Sequence, residues 1–383
     1  MVYQEKTGKE DATMKRIISN IYLFLFILLS ACDSTIHQYP EKTGVIDFVV
    51  QVNADRTPPP FYKEIVYDRN GSRYETILEE EASPVYLPND LLALRCIVEV
   101  RDNSQLDEKG NPVIIARQEL DVDNDALPPQ AEMHFTLPAE GDYTAVSWCD
   151  YVPILNPIDW HFYTSTLDYI HVNMENTMQD LNHKNSATGF TRFHRDEEGN
   201  VSVSNSRDMN LSRNGEDGSV IQFGGNSNNL IPVYLNRPAG RLRLYTEDLE
   251  EFRQSGGNIE EVQVVIVYKQ FVSVAYDALD QNPCEWVSTR RTVTHPSIVN
   301  ETGNVCLAYD YILVDSEKET HVIADFYFLD AEGNELTHTT NVDIPLWRNR
   351  ETVVRSNFLT QSIGTGGLDV DEEFDDEYIV IVK

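Results

Sequence analysis

Five cysteines are the side chains of this 383-residue sequence best placed to do chemistry. Cys32 closes an apolar run and is a candidate for lipid attachment through its thiol. The other four, Cys96, Cys149, Cys284 and Cys306, stand two in each half of the chain. An exported chain permits disulfides. The even split suits one bridge per half, but four cysteines allow three pairings and spacing does not choose among them. Free, buried thiols are an equal alternative. None stands in a CxxC pair, so the spacing of a zinc site is absent. Asp121-Val-Asp123-Asn-Asp125, with Glu132 eleven places after Asp121, imitates a calcium loop. Its sixth position demands Gly and holds Ala126, and Pro128-Pro129 sits where the loop must turn back, so an acidic turn is expected instead. His183 and His194 flank a loop and read as surface residues; no HExxH, GxSxG or P-loop pattern occurs. Trp148, Tyr151, Trp160, Phe162 and Tyr163 form an aromatic-dense run. It would either line a sugar-binding face or pack beside strands, and packing is the expected use. Acidic pairs are too numerous to mark a glycosidase site. No catalytic residue, metal ligand or cofactor is assigned, and an enzyme is not expected.

The segment that positions Cys32 is an export signal. Lys15 and Arg16 make a positive start, Tyr22 to Leu29 is unbroken apolar sequence, and Ser30 and Ala31 are the small residues a signal peptidase needs. A membrane span needs ~20 apolar residues, and this run stops short at the cysteine. Leu29-Ser30-Ala31-Cys32 resembles the bacterial lipobox. That resemblance implies diacylglycerylation of the thiol, cleavage before Cys32 and acylation of the new amino terminus. More than one acyl chain anchors a protein stably. The polar residues before Met14 do not fit a signal, so translation is expected to start at Met14, with 1–31 as precursor and 32–43 as a polar tether.

Residues 1–31 carry four basic and three acidic side chains, so the whole-chain charge of −33 becomes −34 after their removal. A surface this acidic repels nucleic-acid phosphates and anionic lipid head groups. Nucleic acid is therefore excluded as a partner, and solubility outside the cell is the reading of the acidity.

The mature chain has the length of two domains. Short alternating strands separated by turn residues predict an all-β chain of antiparallel, immunoglobulin-like sandwiches. Gly44–Val52, Lys63–Asp68, Tyr74–Leu78, Leu92–Arg101, Val113–Val122, Glu132–Leu137, Asp142–Trp148 and Ser165–Val172 are the strands expected in a first domain over 44–236. Asn70-Gly71 is a hairpin signal, and Pro138–Asp142 is expected to turn Glu132–Leu137 into Asp142–Trp148. Asn173–Asn229 is rich in Asn, Ser and Gly and reads as long surface loops, with Val201–Ser204 and Ser219–Phe223 as edge strands. A second domain is expected over 237–363. Its strands are Arg241–Thr246, Ile259–Tyr268, Phe271–Tyr276, Val305–Val314, His321–Leu329, Glu335–Ile344 and Glu351–Thr360, after a strand at Leu230–Asn236. One short helix, Glu247–Ser255, is capped by Thr246 and stopped by Gly256-Gly257. The tail, 364–383, is a glycine hinge, an acidic spacer and a final apolar strand of Tyr378, Ile379, Val380, Ile381 and Val382. Such a strand must pair with something. It is a candidate donor strand for a partner, or folds back on its own domain.

Together with the lipobox, three stretches carry a family likeness: LNRPAGRLRLYTEDLEEF at Leu235–Phe252, VVIVYKQFVSVAYD at Val264–Asp277 and IPLWRNRETVVRSNFLT at Ile344–Thr360. They resemble the fimbrillin-like lipoproteins of Bacteroides-type bacteria, in the branch related to fimbrium anchoring subunits. The resemblance implies two tandem transthyretin-like sandwiches, a lipid anchor (palmitate among the acyl chains) in the outer membrane, surface exposure, and fimbrial subunits as partners joined by strand addition. The alternative is a surface lipoprotein that binds a glycan or host protein through the Asn173–Asn229 loops.

Overall fold

Period-two alternation turns into strands along most of this chain. The computed structural model describes residues 46–54, 59–78, 92–122, 130–137, 140–154, 159–174, 184–196, 201–204, 230–298, 305–364 and 381–382. The strands are β1 (Ile46–Ala54), β2 (Phe61–Tyr67), β3 (Arg73–Ile77), β4 (Leu92–Leu106), β5 (Pro112–Val122), β6 (Gln130–Leu137), β7 (Gly141–Pro153), β8 (Phe162–Tyr163), β9 (Ile170–Val172), β10 (Ala187–Arg195) and β11 (Val201–Ser204). They continue as β12 (Leu230–Leu235), β13 (Ala239–Thr246), β14 (Gln263–Asp277), β15 (Asn282–Thr294), β16 (Ser297–Ile298), β17 (Val305–Leu313), β18 (Thr320–Leu329), β19 (Glu335–Leu346), β20 (Glu351–Ser356), β21 (Ile363–Gly364) and β22 (Ile381–Val382). Helix α1 (Leu249–Gln254) follows β13. The fold is all-β, as expected.

Two sandwiches account for the strands. The first packs a three-stranded sheet, β12-β1-β6, on a five-stranded one, β11-β10-β7-β4-β5. Leu94, Cys96, Val98 and Val100 of β4 meet Val50 and Val52 of β1 and Met133 and Phe135 of β6 in its core. The second packs the six-stranded sheet β16-β17-β13-β20-β2-β3 on the path β21-β19-β18-β14-β15-β22, to which β8 and β9 attach beside β14. Leu242, Leu244, Val264, Ile266, Phe326, Phe328, Ile344 and Phe358 fill that core. Each such side chain contributes about 1.5–3 kcal/mol through burial. A third apolar cluster joins the sandwiches: Ile97, Val146 and Trp148 from the first sheet pair meet Phe162, Leu167, Ile170 and Val172, with Tyr276 and Ala278 of the second.

Several sequence expectations are corrected. Glu132–Leu137 and Asp142–Trp148 do not form a hairpin; β6 pairs with β1 while β7 pairs with β4 and β10, so the two consecutive strands lie in different sheets. Strands β2 and β3 leave the first sandwich and add to β20, and β8–β9 add to β14, so the boundary at 236/237 is crossed by both hairpins. The sheets are mainly antiparallel, but β1–β12, β13–β20, β2–β20 and β19–β21 run parallel. Long connections make parallel neighbours feasible where a tight turn could not. The helix starts at Leu249 with Asp248 at its N-cap position, not Thr246, whose hydroxyl instead donates to Asp248. Ile259–Glu261 is a 3₁₀ turn, and the two strands expected on either side of Lys269 are one strand, β14, with a bulge. At the bulge Gln270 and Phe271 have φ of 59° and 66°.

Strands β10 and β15 have no counterpart in the sequence reading, and β10 and β11 build part of Asn173–Asn229 into the five-stranded sheet. In β10 the buried positions include Thr188, Thr191 and Arg195. They hydrogen-bond to the Ser147, Pro232 and Leu137 carbonyls, so a core strand reads as polar sequence. Gly189 is required there: a Cβ would run into the carbonyl oxygen of Tyr234 in β12. Gly71, with φ of 78°, makes the expected turn between β2 and β3.

Candidate functional site

Two places bring chemistry-bearing residues together. The first is the edge of β15. This thirteen-residue strand pairs with β14 along its length. On its other side, among the described residues, only β22 is bonded, through Trp286↔Val382 and Val287↔Ile381. The terminal strand therefore lies folded back on its own sheet. Tyr378, Ile379 and Val380 lie outside the described residues, as do Cys32 and its signal segment.

The cysteines divide. Cys96 of β4 and Cys149 of β7 face each other in register, with Cα atoms 4.3 Å apart, and are disulfide-bonded. Cys284 and Cys306 are free, one of the alternatives the sequence left open: Cys284 lies in β15 and Cys306 in β17, on opposite sheets. Burial pushes both thiols up to about 12, so neither is a thiolate at neutral pH. Among the described residues no group of three or more His, Cys, Asp or Glu gathers to hold a metal ion. Asp121, last but one in β5, is exposed, Asp123 and Asp125 lie outside the described residues, and Glu132 accepts a hydrogen bond from Gln51. His194 is exposed against Asp142, at 2.9 Å, and His183 lies outside the described residues.

The second place is a cleft of about 510 Å³ lined by Arg95, Arg117, Glu119, Asp159, Tyr163, Thr164 and Ser165. It grows from the face of β4 opposite the core. There Arg95, Glu99 and Arg101 alternate with the apolar positions, and all three are buried. Arg95 grips Asp150 with two bonds of 2.9 and 2.8 Å and reaches Asp159 at 2.8 Å. Burial works against the Arg95 charge, but the two carboxylates outweigh it and hold its pKa above the ordinary value. Arg117 of β5 bonds Glu99 at 2.6 Å, Glu119 at 2.7 Å and the Thr164 carbonyl at 2.6 Å. Glu99 also accepts from Arg101 at 2.5 Å and from the Leu167 backbone at 3.1 Å. The rim is the β8–β9 hairpin, with Tyr163 opposite His171. Its inward side, Phe162, Ile170 and Val172, is buried in the joining cluster. Outward stand Tyr163, 43% exposed, and Tyr169, 38% exposed, each with its ring near His171 at 6.5 and 6.0 Å. The aromatic run of the sequence is thus split: Trp148 packs edge-on to Phe162 in the joining cluster, Tyr151 lies in the first core, and Tyr163 faces the cleft. The charged alternation Arg95, Glu99, Arg101 on β4 was the legible signal for this face.

The profile of a family of unknown function (DUF6562) matches residues 72–383. The chain belongs to that family. No curated protein matches it. Among solved structures it is similar to the fimbrial anchor protein Mfa2 from Porphyromonas gingivalis, at 12% identity over 77% of this chain and 82% of that one, with a TM-score of 0.32. It is similar to a candidate adhesin from Bacteroides ovatus at 12% identity, covering 80% and 79%, with a TM-score of 0.35. A candidate cell adhesion protein from Bacteroides eggerthii gives 10% identity, 88% and 95% coverage, and a TM-score of 0.37. No helix of the described residues is long and apolar enough to cross a membrane.

Proposed function

We propose that this chain is a cell-envelope lipoprotein, an anchor or tip subunit of a fimbria-like assembly that joins its partners by β-strand addition. The edge of β15 carries the reading. It is thirteen residues long, and among the described residues its free side is bonded only by the two residues of β22. Main-chain groups on such an edge take up an added strand, while alternate side chains set its register. On this reading Tyr378–Val382 is the donated strand and the edge of β15 the acceptor. Cys32 supplies the attachment to the outer membrane through its acyl chains. The family resemblance of the sequence supports both parts, with other fimbrial subunits as partners.

Deleting Tyr378–Lys383 tests the strand. The shortened chain is expected to melt at a lower temperature and to bind a synthetic Tyr378–Lys383 peptide saturably, with the melting temperature restored. Unchanged melting without peptide binding overturns strand addition. Fractionation of wild type against Cys32→Ala, with the intact mass of the mature amino terminus and protease shaving of whole cells, tests the anchor. Lipidated, surface-shaved wild type and a released variant are expected; unlipidated, protected wild type refutes the anchor.

A further inference from the structure

We infer that the cleft beside the β8–β9 hairpin is a binding site for a neutral oligosaccharide. Its volume, about 510 Å³, lies in the range of small-molecule sites. The class of ligand follows from its charges. Three guanidiniums, of Arg95, Arg101 and Arg117, face five carboxylates, of Glu99, Glu119, Asp150, Asp159 and Asp168. The excess is negative, and an anionic ligand is repelled. A cation fares no better. Asp159 and Glu119 are already held at 2.8 and 2.7 Å by Arg95 and Arg117. Drawing them away would take one carboxylate from the buried Arg95, leaving it Asp150 alone, and one from Arg117, leaving it Glu99.

A polyol meets neither obstacle. The side chains of Asp159 and Glu119 are 30% and 46% exposed and keep lone pairs that sugar hydroxyls can donate to. The Arg117 guanidinium and the exposed Ser165 hydroxyl donate in return. Existing pairs stay intact while new bonds are added at the rim. The exposed ring of Tyr163 offers an apolar face to the C–H face of a sugar, with its polar tip in water. His171 and Tyr169 continue this platform, with ring planes tilted by 30° and 31°. The Tyr169 hydroxyl donates to Glu285 of β15 and so holds its ring in place. Phe162, Leu167, Ile170 and Val172 root the hairpin in the joining cluster, so the platform is formed before the ligand arrives. Little ordering cost is then left to binding.

Affinity electrophoresis through native gels containing dextran, yeast mannan, laminarin or xylan, with alginate as an acidic counterpart, tests the inference. Wild type is expected to be retarded by at least one neutral polysaccharide and not by alginate. Tyr163→Ala should weaken the retardation by about tenfold, the loss of one stacking contact. Its melting temperature should be unchanged, because the ring is 43% exposed. Glu119→Ala should weaken it as well, while Phe271→Ala, at an exposed ring on the β14 bulge, should leave it intact. Passage of wild type unretarded through all four neutral gels, retardation by alginate alone, or equal retardation of wild type and Tyr163→Ala overturns the assignment.

Discussion

Replacing Asp310 by alanine is expected to cost the fold about 3–5 kcal/mol, the range found when one partner of a buried ion pair is removed. Asp310 lies on β17, fully buried. Lys184 Nζ, from the segment entering β10, donates to its Oδ1 at 3.0 Å. The Tyr268 hydroxyl and Arg290 each donate to its Oδ2 at 2.9 Å. The Tyr311 backbone N–H completes the set at 2.8 Å. One carboxylate thus ties the first sandwich to both sheets of the second. Without it Lys184 and Arg290, 7% and 6% exposed, are left without this partner. At ~2.1 cal/mol/K per residue, a unit the size of Val45–Lys383 unfolds with an entropy of about 0.7 kcal/mol/K. The melting temperature should therefore fall by about 4–7 °C in calorimetry at pH 7. Asp310→Asn, which keeps an acceptor without the charge, should fall between the two. The sign with pH is set. Burial raises the Asp310 pKa, but Lys184 and Arg290 outweigh it and hold it below the ordinary value. Its contribution is present above the unfolded value of about 3.9 and is lost as pH falls through the folded one. The gap between wild type and Asp310→Ala should narrow in acid. A drop below about 2 °C at pH 7, or a gap that widens in acid, would refute the reasoning.

The Cys96–Cys149 bridge closes a separation of 53 residues. Loop entropy assigns it about 4 kcal/mol, so Cys96→Ser/Cys149→Ser should melt lower by several degrees, and a thermal scan that shows no change counts against the bridge. Cys284 and Cys306, with pKa values near 12, should alkylate at pH 7 only after unfolding, as peptide mass mapping would reveal. His321 stands 2.8 Å from Asp343 and 2.9 Å from Glu319; burial lowers its pKa, and the two carboxylates outweigh it and raise it. Its contribution is complete below the unfolded value of about 6.5 and disappears as pH rises through the folded one. An NMR titration should place its midpoint above 6.5 and bring Asp343→Asn back down; a wild-type midpoint at or under 6.5 contradicts this.

Local signals read well. The alternation of Leu94, Cys96, Val98 and Val100, the Asn70-Gly71 turn and the acidic first turn of α1 each follow from a few neighbouring residues, because strand period and turn dihedrals are local properties. All-β architecture followed from their sum. Strands β10 and β15 escaped because their buried positions hold Thr, Arg and Glu, whose hydrogen-bond partners come from distant segments. Pairing escaped for the same reason: β2 lies beside β20, nearly three hundred residues on, and β6 and β7 part to opposite sheets although they are neighbours in sequence. Four cysteines leave three pairings on paper, and only register placed Cys96 opposite Cys149. The cleft, too, is assembled from β4, β5 and the β8–β9 hairpin. Sequence alone determined the alternation of most strands and the acidity of the surface, and singled out Cys32 as a candidate for lipid attachment. Tertiary structure decided which edges are covered, which charges are paired and which rings face water, because those depend on contacts between residues far apart in the chain.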